Sequence, residues 1–305
     1  MESEIRSWIL RFMGFGDLRR GGVVEMDLKL EGQVAAVFGA GRGIGEAIAR
    51  EFWAESSQVA AIDRDPAVLE LAGQLSQTRP SRPDRAADPD VPRVLGFIAD
   101  VADFAAVCQV AEAVEGAFGR CDHVVFAVGI GSGKYGFPFW NLEPADWEPV
   151  FRVNLLGAVH VAHAFAPLLR RAPAGSLLFL SSVAGQIGSQ TDPPYSASKA
   201  ALINFAQCAA KDLAPWGVRV NTLCPGMVRT ALNRSVWEAW NRQQPEQLRQ
   251  DYAAWAAEKI RNLVPLNRWQ EPEDLAAMAV FLASSRGANI TGQTINVDGG
   301  YVMHW

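Results

Sequence analysis

Tyr195 and Lys199 stand four positions apart in the run Tyr195-Ser196-Ala197-Ser198-Lys199. On a helix that spacing brings the phenol and the ammonium to one face. A free tyrosine ionises at about pH 10 and is a poor base at neutral pH. A nearby ammonium stabilises the phenolate, and the N-terminal end of a helix dipole adds to the effect. The pair is therefore suited to moving a proton on and off an oxygen. Ser182 lies thirteen residues earlier, at the end of an apolar run. A hydroxyl there can orient a carbonyl or an alcohol. Tyrosine and lysine also meet at this spacing by chance, so the pattern takes its meaning from its company.

That company is a glycine loop. The segment Gly39-Ala40-Gly41-Arg42-Gly43-Ile44-Gly45 follows an apolar run and opens an amphipathic stretch. Glycines let the backbone turn tightly and approach a pyrophosphate, while the helix N-terminus supplies amide donors. The spacing is GxxxGxG on Gly39, Gly43 and Gly45; strict GxGxxG fails at Ile44. A purely structural strand–helix turn is the other reading of such a loop. Asp63 ends the next apolar run, about 20 residues on, where an acidic residue hydrogen-bonds an adenosine ribose diol. Its charge repels a 2′-phosphate, so NAD is expected in preference to NADP. Arg42 and Arg64 pull the other way if they meet a 2′-phosphate; otherwise they are solvated surface.

The elements that must position these groups follow from hydrophobic periodicity. Strands are expected at 33–38, 58–62, 94–98, 123–128, 175–181, 218–223 and 293–297, where short apolar runs are bounded by Gly or Asp. Helices are expected near 43–55, 66–77, 103–118, 144–171, 195–214 and 273–284. Nearly continuous apolar strands mean that both faces are covered, the mark of a parallel sheet. Alternation with helices then predicts a single Rossmann-type α/β domain, a doubly wound parallel sheet of seven strands with helices on both faces. In this topology ligands bind at the carboxyl ends of the strands, where Ser182 falls.

Composition narrows the function further. The 305 residues are 49% hydrophobic and 20% charged, enough to bury a large core. A net charge of −5 offers no basic field to nucleic acid or an anionic membrane. The apolar runs are far shorter than the ~20 residues of a membrane-spanning helix. Cys108, Cys121, Cys208 and Cys224 stand apart, which argues against a disulfide scaffold or a zinc site and fits a reducing, cytoplasmic compartment. No metal is expected; His160 and His163 have the right spacing for one but lack a companion ligand. Residues 1–26 read as an N-terminal extension, either a leader before Met26 or an amphipathic arm. Residues 27–305 form the expected catalytic domain, with a polar Pro/Arg loop at 78–93.

With these residues in hand, the chain resembles the short-chain dehydrogenase/reductase family, over about Leu30 to Gly300. The resemblance implies that Ser182, Tyr195 and Lys199 are catalytic, with Asn154 as the fourth member of a proton relay that holds a water. Tyr195 would exchange a proton with the substrate oxygen while hydride moves to or from nicotinamide. Lys199 would also hold the nicotinamide ribose. Pro225-Gly226-Met227-Val228-Arg229-Thr230 resembles the family's loop after the sixth strand. It implies cofactor contacts from Pro225, Gly226, Val228 and Thr230, as Asp100-Val101 and Gly129 imply them elsewhere. Val297-Asp298-Gly299-Gly300 matches the C-terminal strand ending. A homodimer or homotetramer is implied, as is a substrate lid over about 230–270.

Two departures stand out. Phe38 replaces a usual Thr, and Phe126-Ala127-Val128-Gly129 replaces a usual Asn-Asn-Ala-Gly. Packing of Phe38 against Phe126 is the expected substitute. Trp237 and Trp240 either line the substrate pocket or glue the lid to the body, and Gln190 is a further substrate candidate. The aromatic segment 131–140 either roofs the cleft or packs on the surface. His304 and Trp305 either reach a neighbouring subunit or fray. The expected function is an NAD(H)-preferring oxidoreductase interconverting a secondary alcohol and a ketone, the substrate being a cyclic alcohol, a sugar or a polyol. The alternatives are an NADPH-dependent 3-oxoacyl thioester reductase and a cofactor-binding regulator or scaffold without turnover.

Overall fold

The computed structural model describes residues 26–78, 94–134, 136, 138–189 and 191–303. The N-terminal extension, most of the Pro/Arg loop, Tyr135, Phe137, Gln190, His304 and Trp305 lie outside the described residues.

Seven strands form one parallel sheet: β1 Val34–Phe38, β2 Gln58–Asp63, β3 Val94–Ile98, β4 His123–Phe126, β5 Ser176–Leu180, β6 Arg219–Pro225 and β7 Thr294–Val297. Their order is β3-β2-β1-β4-β5-β6-β7. Every pairing is parallel, in registers such as Phe38↔Ile62 and Phe38↔Phe126. The helices are α1 Gly43–Ala54, α2 Ala67–Ser76, α3 Phe104–Phe118, α4 Trp147–Phe151, α5 Gly157–Leu169, α6 Pro193–Leu213, α7 Ala231–Gln243, α8 Tyr252–Leu263 and α9 Pro272–Ala283.

The strand centres are largely apolar because the sheet faces two cores. Val34, Ala36 and Phe38 point to one core with residues of α3, α5 and α6. Ala35 and Val37 point to the other with α1, α2 and α9. Successive strand side chains alternate between faces, so a helix layer on each side is the arrangement that buries both. The chain leaves β1 for β2 on one side and returns to β4 on the other. The loops after β1 and β4 therefore diverge and open a crevice at the strand carboxyl ends.

Three local differences from the sequence-based expectations have physical causes. The single helix expected over 144–171 is built in pieces: a 3-10 turn Pro144–Asp146, then α4, a π-helical turn Arg152–Leu156, then α5. The π turn carries the fully buried Asn154; such turns often occur at functional sites. The catalytic helix starts two residues early, because Asp192 caps it and Pro193 and Pro194 occupy its first turn. Phe38 and Phe126 share one core as expected, but their rings do not pair with each other. These two are register partners, but Phe38 meets Phe165 edge-on at 5.4 Å and Phe126 meets Phe179 at 6.3 Å. The seam between the strand ends is closed by the main-chain bond Ala127 N to Phe38 O at 2.9 Å.

Candidate active site

Two adjoining cavities open at the carboxyl ends of the strands, sharing Ile44, Ala127, Gly129, Thr230 and Leu232 in their walls. One, about 410 Å³, is lined by the glycine loop, Asp63, Arg64, Asp100, Val101 and Val128. The other, about 260 Å³, holds Ser182, Tyr195 and Lys199, with the lid above.

The first is shaped by what its residues lack. Gly39 sits at φ +84°, and a Cβ there would lie 2.9 Å from the Ala127 carbonyl carbon. A Cβ on Gly45 would overlap the Gly39 carbonyl, so only glycine lets α1 start against the loop. Gly43 also has positive φ, +61°. The Asp63 carboxylate is fixed by two amides, Gly41 N at 2.9 Å and Asp65 N at 2.9 Å. Arg42 and Arg64 are exposed at the rim of this cavity. Val101 is held from behind: its carbonyl pairs with His160 Nδ1 at 2.8 Å. That contact accounts for His160, while His163 packs edge-on against Phe104. No group of three potential metal ligands occurs among the described residues. The four cysteines are free.

In the second cavity Ser182 follows β5 and Tyr195 and Lys199 lie on α6, so sheet and helix meet at the site. The Ser182 oxygen accepts Ala184 N at 3.1 Å, and its hydroxyl shares the cavity wall with the Tyr195 phenol, close enough to act on its ionisation. Burial pushes the phenol up to about 12, against the downward pull of the Ser182 hydroxyl, while Asp192 and Cys224 add to the rise. The expected lowering by Lys199 is absent. Its ammonium is turned to the carbonyls of Leu180 at 2.7 Å and Val128 at 3.3 Å. Burial has itself lowered Lys199 to about 8. Lys199 is 5.7 Å from the Tyr195 ring centroid, and it fits because Gly129 is bare: a Cβ there would lie 3.0 Å from Nζ. Asn154 bonds protein groups through both ends of its amide. Oδ1 accepts Ile130 N at 2.8 Å, and Nδ2 donates to Ile130 O and Ser198 Oγ, both at 2.9 Å. Neither Nδ2 hydrogen is left for the expected water.

The loop after β6 lines both cavities through Thr230, which caps α7 by accepting Asn233 N. Pro225, Gly226 and Val228 line the second cavity. Sequence reasoning missed what holds this loop. Gln270, almost fully buried, accepts Gly226 N at 2.9 Å, donates its own N–H to Met227 O and accepts Arg229 N, both at 3.0 Å. Nothing in its sequence neighbourhood marks it. Asp192 was missed too, although Asp before two prolines is a helix-start signal.

The lid is helical as expected, α7 and α8 with a break at Pro245. Trp237 and Trp240 are not in the cavity walls. Trp237 donates to Gln250 O at 3.1 Å and meets Tyr252, and Trp240 meets Trp255 at 6.3 Å. They join the two lid helices in a small core of their own. Trp255 and Lys259 reach the cavity instead. The loop after β4 docks on the start of α6: Gly136 N donates to Thr191 O at 2.8 Å. Phe139 and Trp140 stay largely exposed.

A doubly wound sheet with a glycine-lined cavity opening onto half-buried Ser182 and Tyr195 and a buried Lys199 defines a nucleotide-dependent oxidoreductase. Comparison with known proteins makes this specific. A family model described as enoyl-(acyl carrier protein) reductase matches residues 39–302. D-threitol dehydrogenase of Mycolicibacterium smegmatis is 32% identical over 281 residues, covering 92% of this chain and 96% of that one. Human (3R)-3-hydroxyacyl-CoA dehydrogenase is 32% identical over 286 residues, covering 92% and 99%. L-sorbose reductase from Gluconobacter frateurii, solved with NADPH and L-sorbose, superposes with a TM-score of 0.80 at 26% identity, covering 92% of this chain and all of that one. The chain belongs to the short-chain dehydrogenase/reductase family, whose members use NAD or NADP, and is an oxidoreductase acting on CH–OH groups.

Proposed function

We propose that the protein interconverts a secondary alcohol and a ketone with NAD(H) as preferred cofactor. The observation that carries this reading is the meeting of Ser182, Tyr195 and Lys199 in one cavity wall, beside a second cavity lined by the glycine loop and Asp63. The residues fit such a group. The bare Gly39, Gly43 and Gly45 leave amides free at the start of α1 for a pyrophosphate. Asp63 faces the ribose end, with Gly41 bare beneath it. When bound, the nicotinamide supplies or accepts the hydride.

The chain's own residues do the rest. Ser182 orients the substrate oxygen. Tyr195 gives that oxygen a proton in reduction and takes one in oxidation. Lys199 holds the nicotinamide ribose. Asn154 completes a relay through the remaining lone pair of Oδ1 while fixing the Ile130 main chain. Val228 and Thr230 contact the cofactor from the loop after β6. The NAD preference rests on Coulomb sign: Asp63 is held in the cavity by two amides, whereas Arg42 and Arg64 are exposed at its rim. The cleft wall mixes apolar Leu180, Ile187, Met227 and Trp255 with polar Ser189, Thr191, Asp192 and Asn233, which suits a cyclic alcohol, a sugar or a polyol. A homo-oligomer in a reducing compartment belongs to the same proposal; no helix among the described residues is long and apolar enough to cross a membrane.

Purified protein with NAD or NADP against cyclic alcohols, polyols and their ketones tests this reading. Turnover with NAD on a cyclic alcohol is expected. Cofactor binding without turnover on any of them would instead favour a regulator. A second reading, an NADPH-dependent 3-oxoacyl thioester reductase, draws support from Lys259. That cation lines the cleft without an ion pair among the described residues and suits an anionic carrier. Faster NADPH turnover on an acetoacetyl thioester than on any cyclic ketone would favour it.

A further inference from the structure

Asp192 meets both walls of the site. It caps α6, the helix of Tyr195 and Lys199: its Oδ1 accepts Tyr195 N at 3.5 Å and its main-chain oxygen accepts Ser196 N at 3.0 Å. Its Oδ2 accepts Ser132 N at 2.8 Å, from the loop after β4. Gly131 closes directly on this carboxylate, since a Cβ there would lie 2.6 Å from Oδ2. The side chain is 9% exposed and lines the substrate cleft. No cation pairs with it among the described residues.

A negative charge is thus fixed one helical turn before the phenol. Among the described residues, the charged and titratable groups that face the phenol are few. Lys199 lies on the same helix, but its ammonium is engaged by the Leu180 and Val128 carbonyls. Cys224 on β6 is a thiol pushed up to about 11 by burial. Ser182 at the end of β5 is uncharged.

We propose that Asp192 is the positioning residue of this site: it locks the catalytic helix to the loop after β4 and holds a negative charge beside Tyr195, so that Tyr195 meets substrate as a proton donor. The proposal rests on the acid/base reading of Tyr195. In reduction the carbonyl carbon receives a hydride from the reduced dinucleotide, and the oxygen receives the Tyr195 proton. Reduction then runs across the neutral range, while oxidation needs a higher pH. Burial raises the Asp192 carboxyl itself, and the Ser132 and Tyr195 bonds act against that rise. The Asp192 charge adds to the burial that raises the phenol.

The test separates charge from clamp. Asp192→Asn keeps an acceptor oxygen and a capping side chain but no charge. Asp192→Ser, a second uncharged cap, repeats the measurement if the first variant fails to fold. Near-ultraviolet phenolate absorbance of the full chain is titrated, with Tyr195→Phe counterparts subtracted to isolate Tyr195. Ionisation of Tyr195 is expected to begin about one pH unit lower than in the parent, tenfold in the equilibrium. Curves that coincide with the parent, or move upward, would overturn the proposal. Asp192→Ala removes the clamp as well and is expected to lose about tenfold more kcat than Asp192→Asn; equal losses would overturn the positioning half. The titration needs no substrate. It therefore stands apart from the acid/base reading, which fails only if Tyr195→Phe keeps its turnover.

Discussion

Replacing Asn154 by alanine tests how the π turn serves the site. The amide is fully buried and makes three hydrogen bonds, two to the main chain of Ile130 and one to Ser198 Oγ. Alanine restores none of them. A net hydrogen bond contributes about 1 kcal/mol, and an orphaned buried N–H costs about 1–3 kcal/mol. With the Ile130 N–H and C=O both stranded, a loss of about 3 kcal/mol is expected, a sizeable part of the ~5–15 kcal/mol that holds a domain together. Urea titration measures it as a lower midpoint at unchanged slope. The catalytic effect follows the same route. Ile130 adjoins Gly129, whose missing side chain leaves room for the Lys199 ammonium, so kcat is expected to fall with cofactor affinity largely kept. Asn154→Asp keeps Oδ1 but sets a carboxylate oxygen against the Ile130 carbonyl, and is expected to be at least as damaging. An Asn154→Ala protein within about 0.5 kcal/mol of the parent, with full turnover, would refute the reasoning.

Three further outcomes are expected. Gly45→Ala drives a methyl into the Gly39 carbonyl; overpacking of this kind costs about 1–3 kcal/mol, and calorimetry of NADH binding should show the affinity falling with it. Asp63→Ala removes the repulsion of a 2′-phosphate, so the ratio of kcat/KM for NAD over NADP should drop; a parent enzyme that already prefers NADP would show the Coulomb argument to be wrong. His123 is buried between Gln33 and Ser176, and burial lowers its pKa from 6.5 to about 4. The unfolded chain takes up this proton first, so the stabilisation is complete above about pH 6.5 and is lost as the pH falls toward about 4. The loss amounts to ~3 kcal/mol, and His123→Gln should flatten that acid limb in denaturation curves.

All seven strands were legible because their signal is local: short apolar runs between turn residues, each needing cover on two faces. The glycine loop and the serine, tyrosine and lysine positions were legible for the same reason, since their spacing follows strand ends and helix turns. Lying outside that reach were features set by long-range contacts. The π turn at 152–156 depends on the Asn154 amide reaching Ile130. Gln270 holds a loop more than forty residues away in sequence. The Phe38 ring meets Phe165, which lies on a helix far along the chain. The state of Tyr195 was misjudged because spacing reports that Lys199 is near, while burial and the two carbonyls that bind its ammonium decide the balance. The lid tryptophans read equally well as pocket or glue. Only the packing of α7 on α8 separates Trp237 and Trp240, which join the helices, from Trp255, which also reaches the cleft.

The central claim is that Tyr195 exchanges the proton while the rest of the site binds and orients. Tyr195→Phe removes one oxygen from a half-buried ring and leaves the glycine loop, Asp63 and Lys199 in place. Steady-state turnover of this variant, measured beside NADH binding by fluorescence, tests the claim most directly. The account predicts turnover lost with the dissociation constant for NADH within about twofold of the parent (under about 0.5 kcal/mol). Full retained turnover would contradict it.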